Sequence, residues 1–162
     1  MSASKYRPHV LILPEDDANG QLATGFSLHE SIDLRAIQIL PEAGGWLKVR
    51  ALFSEVHIAE MLRNPLRNMV LLVDFDGEPD RLDSMKKVIP DSLIERVFIL
   101  GVWLEPEDFP KRLGSLEQIG KQLASECQDN TRNVWNHELL QHNSNELDRM
   151  NATIKPILFP ST

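Results

Sequence analysis

Four short apolar runs constrain the fold of this chain more than any other feature. They are "HVLILP" (9–14), "AIQILP" (36–41), "MVLLVDFD" (69–76) and "RVFILGVWL" (96–104). Each is too short for a buried helix, and none alternates apolar with polar residues along its length. That is the pattern of a strand buried on both faces. Helically spaced segments separate the runs: Leu22 and Phe26 four apart, then Trp46, Val49 and Phe53 along one side, then "RLDSMKKVI" (81–89). This alternation predicts an α/β fold, with an open, mainly parallel sheet covered by helices on both faces.

Beyond residue 110 the pattern changes. From Arg132 to Ile154, Trp135, Leu139, Leu140, Leu147, Met150 and Ile154 fall within one stripe at about 100° per residue. The stripe predicts a long amphipathic C-terminal helix that closes the domain or binds a protein partner or a second copy. Asn143 lies inside the stripe, where it would make a buried hydrogen bond or an oligomer contact. "IKPILF" (154–159) reads as a last strand or a docking tail. His137 and His142, five apart, point in different directions on a helix and make a poor metal pair. The expectation is one domain over residues 1–162, with a core over about 9–110 and a helical extension over about 114–159.

The chain carries 24 acidic and 17 basic residues, a net charge of −7. Surfaces that hold nucleic acid by neutralising phosphate are usually basic, so binding here would need a local patch, a metal ion or a basic partner. No apolar run approaches the ~20 residues that cross a bilayer, and "MSASKYRPH" lacks the apolar core of a secretory signal. The single cysteine, Cys127, has no internal partner and reads as a small apolar helix residue. A soluble, cytoplasmic protein without membrane contact is expected. Neither G-x-G-x-x-G nor G-x-x-x-x-G-K-[ST] occurs, so the standard nucleotide phosphate cradles are missing.

Three sets of acids at run ends are candidate site residues: Glu15 after the first run, Asp74 and Asp76 at the end of the third, and Glu105, Glu107 and Asp108 after the fourth. In an open parallel sheet, ligands bind beyond the carboxyl ends of the strands, where strand order reverses. Carboxylates brought together there raise one another's pKa values unless a cation compensates. Mg²⁺ suits that role, because it takes oxygen ligands, commonly one or two carboxylates completed by substrate phosphate. On an extended segment alternate side chains share a side. Asp74 and Asp76 would then face one ion while Phe75 packs inward, and Gly77 permits a turn.

"HVLILPEDDANGQL" with its Glu15, "AIQILPEAGGWLKV" with its glycine-rich turn, and "MVLLVDFDG" with Asp74 and Asp76 occur in an order that resembles the TOPRIM domain. That metal-binding fold is shared by type IA and II topoisomerases, bacterial primases, OLD-family nucleases and the maturase of 5S ribosomal RNA. "VFILGVWLEPEDF" is similar to a segment of OLD-like members, and the resemblance covers about residues 9–110. It implies that Asp74 and Asp76 hold Mg²⁺ or Mn²⁺. Glu15 would bind metal or act as general acid or base at the scissile phosphodiester, and Glu105 or Glu107 would complete a second metal position. Lys48, Arg50, Arg81, Lys86 and Lys87 would supply positive charge from neighbouring helices. The implied function is a Mg²⁺-dependent nuclease, or a subunit of a nuclease complex such as a phage-defence system. One alternative is a TOPRIM-like interaction module without catalysis. A phosphoacceptor receiver is the other: "ILPEDD" and Lys155-Pro156 echo it, but 58 residues separate Asp16 from Asp74 and 81 separate Asp74 from Lys155, long for that fold.

Overall fold

A computed structural model of the chain describes residues 2–160. Strands β1 (His9–Pro14), β2 (Ile37–Ile39), β3 (Arg67–Leu72) and β4 (Val97–Leu100) form one sheet in the order β2-β1-β3-β4. Every pairing is parallel, with Val10 opposite Ile37, Ile12 opposite Val70 and Leu71 opposite Ile99. The α/β architecture expected from the apolar runs is therefore the one observed. The helices are α1 (Asp17–Ser27), α2 (Trp46–Leu52), α3 (Ile58–Arg63), α4 (Asp80–Lys86), α5 (Leu116–Asp129) and α6 (Ser144–Leu158). A π-type turn over Phe53–His57 joins α2 to α3.

The continuous apolar character of the strands follows from their position between two cores. Val10, Ile12, Val70, Phe98 and Leu100 pack against α1, α5 and α6 through Leu22, Leu123, Leu147 and Ile154. Leu11, Leu13, Met69, Leu71 and Ile99 point the other way, onto Val49, Phe53, Met61, Met85 and Leu93. Burying one such side chain completely, as at Leu71, contributes about 1.5–3 kcal/mol. A one-residue slip of register would exchange the two sets, so the burial on both faces also holds the register.

The chain leaves β1 for β2 on one side and returns to β3 on the other, so strand order reverses between β1 and β3. Pairing continues past the end of β3: the amides of Val73, Phe75 and Gly77 donate to the carbonyls of Leu100, Val102 and Trp103 at 3.0, 3.0 and 2.8 Å. Gly101 permits this closeness, since a Cβ there would collide with the Val73 carbonyl.

The long C-terminal helix expected from the apolar stripe is present, but it begins at Gln141 and not at Arg132. Helix α5 stops at Asn130, which adopts the left-handed conformation at φ 58°. The next ten residues run irregularly before a 3₁₀ turn, Gln141–Asn143, leads into α6. Glu126 explains the interruption. Its buried carboxylate accepts from the backbone amides of Val134 and Trp135 at 2.9 and 3.3 Å, so these amides are bound to a side chain and not to a helix. Trp135, Leu139 and Leu140 still reach the core, which is why their spacing imitated a helix. "IKPILF" is not a strand, because α6 runs through Pro156 to Leu158.

Asn143 makes the buried hydrogen bonds anticipated as one of its two roles. Its Oδ1 accepts from Gly101 N at 3.1 Å, and its Nδ2 donates to the carbonyls of Gly101 and Leu140 at 2.9 and 3.0 Å. Glu146 Oε2 accepts from Ile99 N at 2.8 Å. Together the two side chains occupy much of the outer backbone edge of β4, which would otherwise be open to pairing. Among the described residues, no helix is long and apolar enough to cross a membrane.

Candidate metal centre

The reversal of strand order brings the ends of β1 and β3 side by side. Glu15 follows β1 directly: its amide donates to the Leu72 carbonyl at 2.9 Å, and its own carbonyl accepts from Gly44 and Gly45 at 2.8 and 3.1 Å. The glycine pair adopts positive φ values of 94° and 135°, which lets the turn after β2 fold over Glu15. Asp16 caps α1, with Oδ1 accepting from Asn19 N at 3.0 Å, and this fixes its carboxylate at the helix entrance.

Asp74 lies across from them, two residues beyond β3 and only 5% exposed. Its backbone amide donates to Glu15 Oε1 at 3.1 Å. Asn19, fully buried on α1, uses one amide nitrogen twice: Nδ2 donates to Asp16 Oδ1 at 2.8 Å and to Asp74 Oδ1 at 2.9 Å. In the resulting cluster Glu15, Asp16 and Asp74 each offer a carboxylate oxygen, and these atoms all lie within 4.8 Å of one another.

This arrangement is electrostatically costly. Burial above all, and then the neighbouring Glu15, Asp16 and Asp76, push the Asp74 carboxyl up to about 7, against the stabilising bond from Asn19. Glu15 is raised as well, again chiefly by burial, with Asp16 and Asp76 adding repulsion while the Asp74 amide and Arg81 act in the opposite direction. Among the described residues, no cationic side chain bonds the three converging carboxylates. A hard divalent ion fits what remains, an all-oxygen donor set short of positive charge.

The other expected site residues are placed differently. Asp76 does not follow the strand alternation that would align it with Asp74, because its backbone turns left-handed at φ 49°. Its carboxylate is 54% exposed and accepts from Arg81 Nη1 at 3.0 Å. The same Nη1 donates to the Asp74 carbonyl at 2.7 Å, and the guanidinium lies 4.6 Å over the Trp46 ring. Phe75 packs inward, 2% exposed, stacked on Trp103 and edge-on to His142. Glu105, Glu107 and Asp108 sit exposed on a 3₁₀ turn, outside the converging set. Of the expected basic residues, only Arg81 bonds to the acidic loop. Arg50 bonds the Ser84 carbonyl at 3.2 Å, and Lys86 faces Glu146 at 3.8 Å.

Asp16 and Asn19 are the members of the constellation that the strand-end pattern did not single out. Their signal was present in the spacing, because Asp16 and Asn19 stand three apart where a helix begins, the geometry of an N-cap and its first free amide. Comparison with protein families, with curated proteins and with solved structures finds no match to the chain.

Proposed function

We propose that the chain is a TOPRIM-like protein that binds Mg²⁺ or Mn²⁺ and acts on nucleic-acid phosphodiesters. It would serve as a nuclease or as the metal-binding subunit of a nuclease complex, such as one used in phage defence. The observation that carries this reading is the convergence of Glu15, Asp16 and Asp74 where strand order reverses. When bound, the ion would neutralise charge developing on phosphoryl oxygens and make a coordinated water more acidic.

The chain's own residues have separable tasks. Asp74, oriented by Asn19, holds a proton up to about pH 7 without a cation and releases it when one binds. Glu15, half-buried with its proton affinity raised, is suited to ligation or to proton transfer at the scissile bond. Arg81 keeps the Asp74–Gly77 turn closed and provides positive charge beside the cluster, which an acidic protein needs before a phosphate can approach.

One observation favours a second reading, a metal-binding interaction module without catalysis: Asp76 is turned to Arg81 and away from the cluster. A single comparison separates the two. Purified protein is incubated with mixed DNA and RNA and Mn²⁺, beside the Glu15→Ala/Asp74→Ala variant, and thermal melting is followed over the same metal range. Cleavage by the wild type alone supports the nuclease. Equal cleavage in both preparations is contamination and sinks it. A metal-dependent rise in melting temperature without cleavage, abolished in the variant, supports the module.

A further inference from the structure

The sheet face opposite α2–α4 is incompletely filled. Between Val10, Ile12 and Val70 on the strands, Leu22 and Ala23 on α1, and Ile154 on α6 lies a cavity of about 80 Å³. One water centre needs only about 10–15 Å³, so the space exceeds that of a single trapped water several-fold.

The chemistry of its walls is more decisive than its size. A buried water needs two to four polar partners. Asn143 lines the cavity, but its amide is committed to Gly101 and Leu140. Gly101 has both backbone groups engaged by Asn143. Trp135 Nε1 donates to the Leu123 carbonyl at 3.1 Å. The thiol of Cys127 remains, a weak hydrogen-bonding group and a single one. The walls therefore offer too few partners for a water or for a ligand's polar group. Interiors are otherwise packed to crystal density, and an unfilled volume loses both dispersion contacts and hydrophobic stabilisation.

We propose that this cavity is a binding site for a small, uncharged, apolar molecule no larger than benzene. Such an occupant recovers the contacts that the empty walls lack and leaves no polar group unpartnered. Its walls include Ile12 and Leu72, on the strands that lead to Glu15 and Asp74. The proposal stands independently of the metal reading, since it uses none of the carboxylates.

Benzene, xenon and phenol serve as probes on the full chain. Benzene near its aqueous saturation is expected to raise the melting temperature by about 2–4 °C, because it binds only the folded state. Phenol, of the same shape with one hydroxyl, is expected to give no rise. Xenon should shift the methyl resonances of Val10, Ile12, Val70 and Leu22 and leave those of the opposite core unmoved. Ala23→Leu, which places added carbons in the space, should abolish the benzene response. No benzene rise together with no localised xenon shift in the wild type overturns the proposal. So does a phenol response equal to that of benzene. The xenon measurement needs no variant, so a failure of Ala23→Leu to fold leaves the decision intact.

Discussion

Asn19 Nδ2 donates to Asp74 Oδ1 at 2.9 Å, and both residues are buried where β1 and β3 end. The bond orients one carboxylate oxygen of Asp74 and leaves the other free for a ligand. Outer residues of this kind tune metal affinity, typically by 10–100-fold. Asn19→Leu, similar in size but without a donor, should therefore weaken Mg²⁺ or Mn²⁺ binding by about that factor. It should also destabilise the metal-free protein by about 1–3 kcal/mol, the range for leaving a buried hydrogen-bonding group unpaired. Metal titration followed by melting measures the first effect, and denaturant unfolding the second. An unchanged titration midpoint would show that Asn19 does not position Asp74.

The contribution of Asp74 to metal-free stability should fall as pH rises from about 4 towards 7. Folding pushes the Asp74 carboxyl up to about 7 from an ordinary value of 3.8, so the folded chain keeps a proton that the unfolded chain has already released. Where the folded state binds more protons, stability decreases with pH, at most by about 1.4 kcal/mol per pH unit for one group. Glu15 is raised too and contributes with the same sign. Melting in EDTA across that range should show the wild type losing stability relative to Asp74→Asn as pH rises, and Mg²⁺ above pH 7 should reverse that loss by replacing the proton. Burial lowers His9, His57 and His142, which act with the opposite sign, so the wild type is compared with Asp74→Asn, and equal pH slopes in the two would refute the assignment.

The sheet was legible in the sequence because its strands are buried on both faces: no helix or exposed strand needs a run such as "HVLILP". Glu15 and Asp74 were legible for the same reason, since a carboxylate that ends such a run stands at the strand's carboxyl end, where the sheet's acids can gather. Asp76 was not, because the alternation holds only while the backbone stays extended, and a left-handed residue at φ 49° breaks it. Asn19 carries no charge, and its importance lies in two acceptors, Asp16 and Asp74, brought together only in three dimensions. The C-terminal helix was legible, but its start at Gln141 was not, through a similar long-range effect: Glu126 captures the amides of Val134 and Trp135.

Arg81 and Asp76 should behave very differently when replaced, although they form one ion pair. Asp76 is exposed, and an exposed pair contributes about 0–1 kcal/mol, so Asp76→Asn should change stability by less than about 1 kcal/mol. Arg81 also donates to the Asp74 carbonyl and stacks on Trp46. A cation over an aromatic face contributes about 0.5–2 kcal/mol, and a hydrogen bond about 1 kcal/mol. Arg81→Ala should therefore cost about 2 kcal/mol or more and weaken metal binding by loosening the turn. The midpoints of denaturant unfolding compare them directly, provided the slope is unchanged. Equal losses in the two variants would mean that the ion pair, and not the carbonyl and the ring, holds Arg81.

Asn143 should be among the least replaceable residues outside the acidic site. It meets both backbone groups of Gly101 at the outer edge of β4, as a neighbouring strand would. Leucine at this position would leave that buried amide and carbonyl unpaired, at about 1–3 kcal/mol each. For a chain of this size each kcal/mol lowers the melting temperature by about 2–4 °C, so Asn143→Leu should lose roughly 4 °C at the least. Because the uncovered edge is also a template for pairing with another chain, the variant should self-associate on warming while the wild type does not. Melting followed by light scattering tests both effects. A variant that melts like the wild type and stays monodisperse would show that the edge of β4 needs no cover.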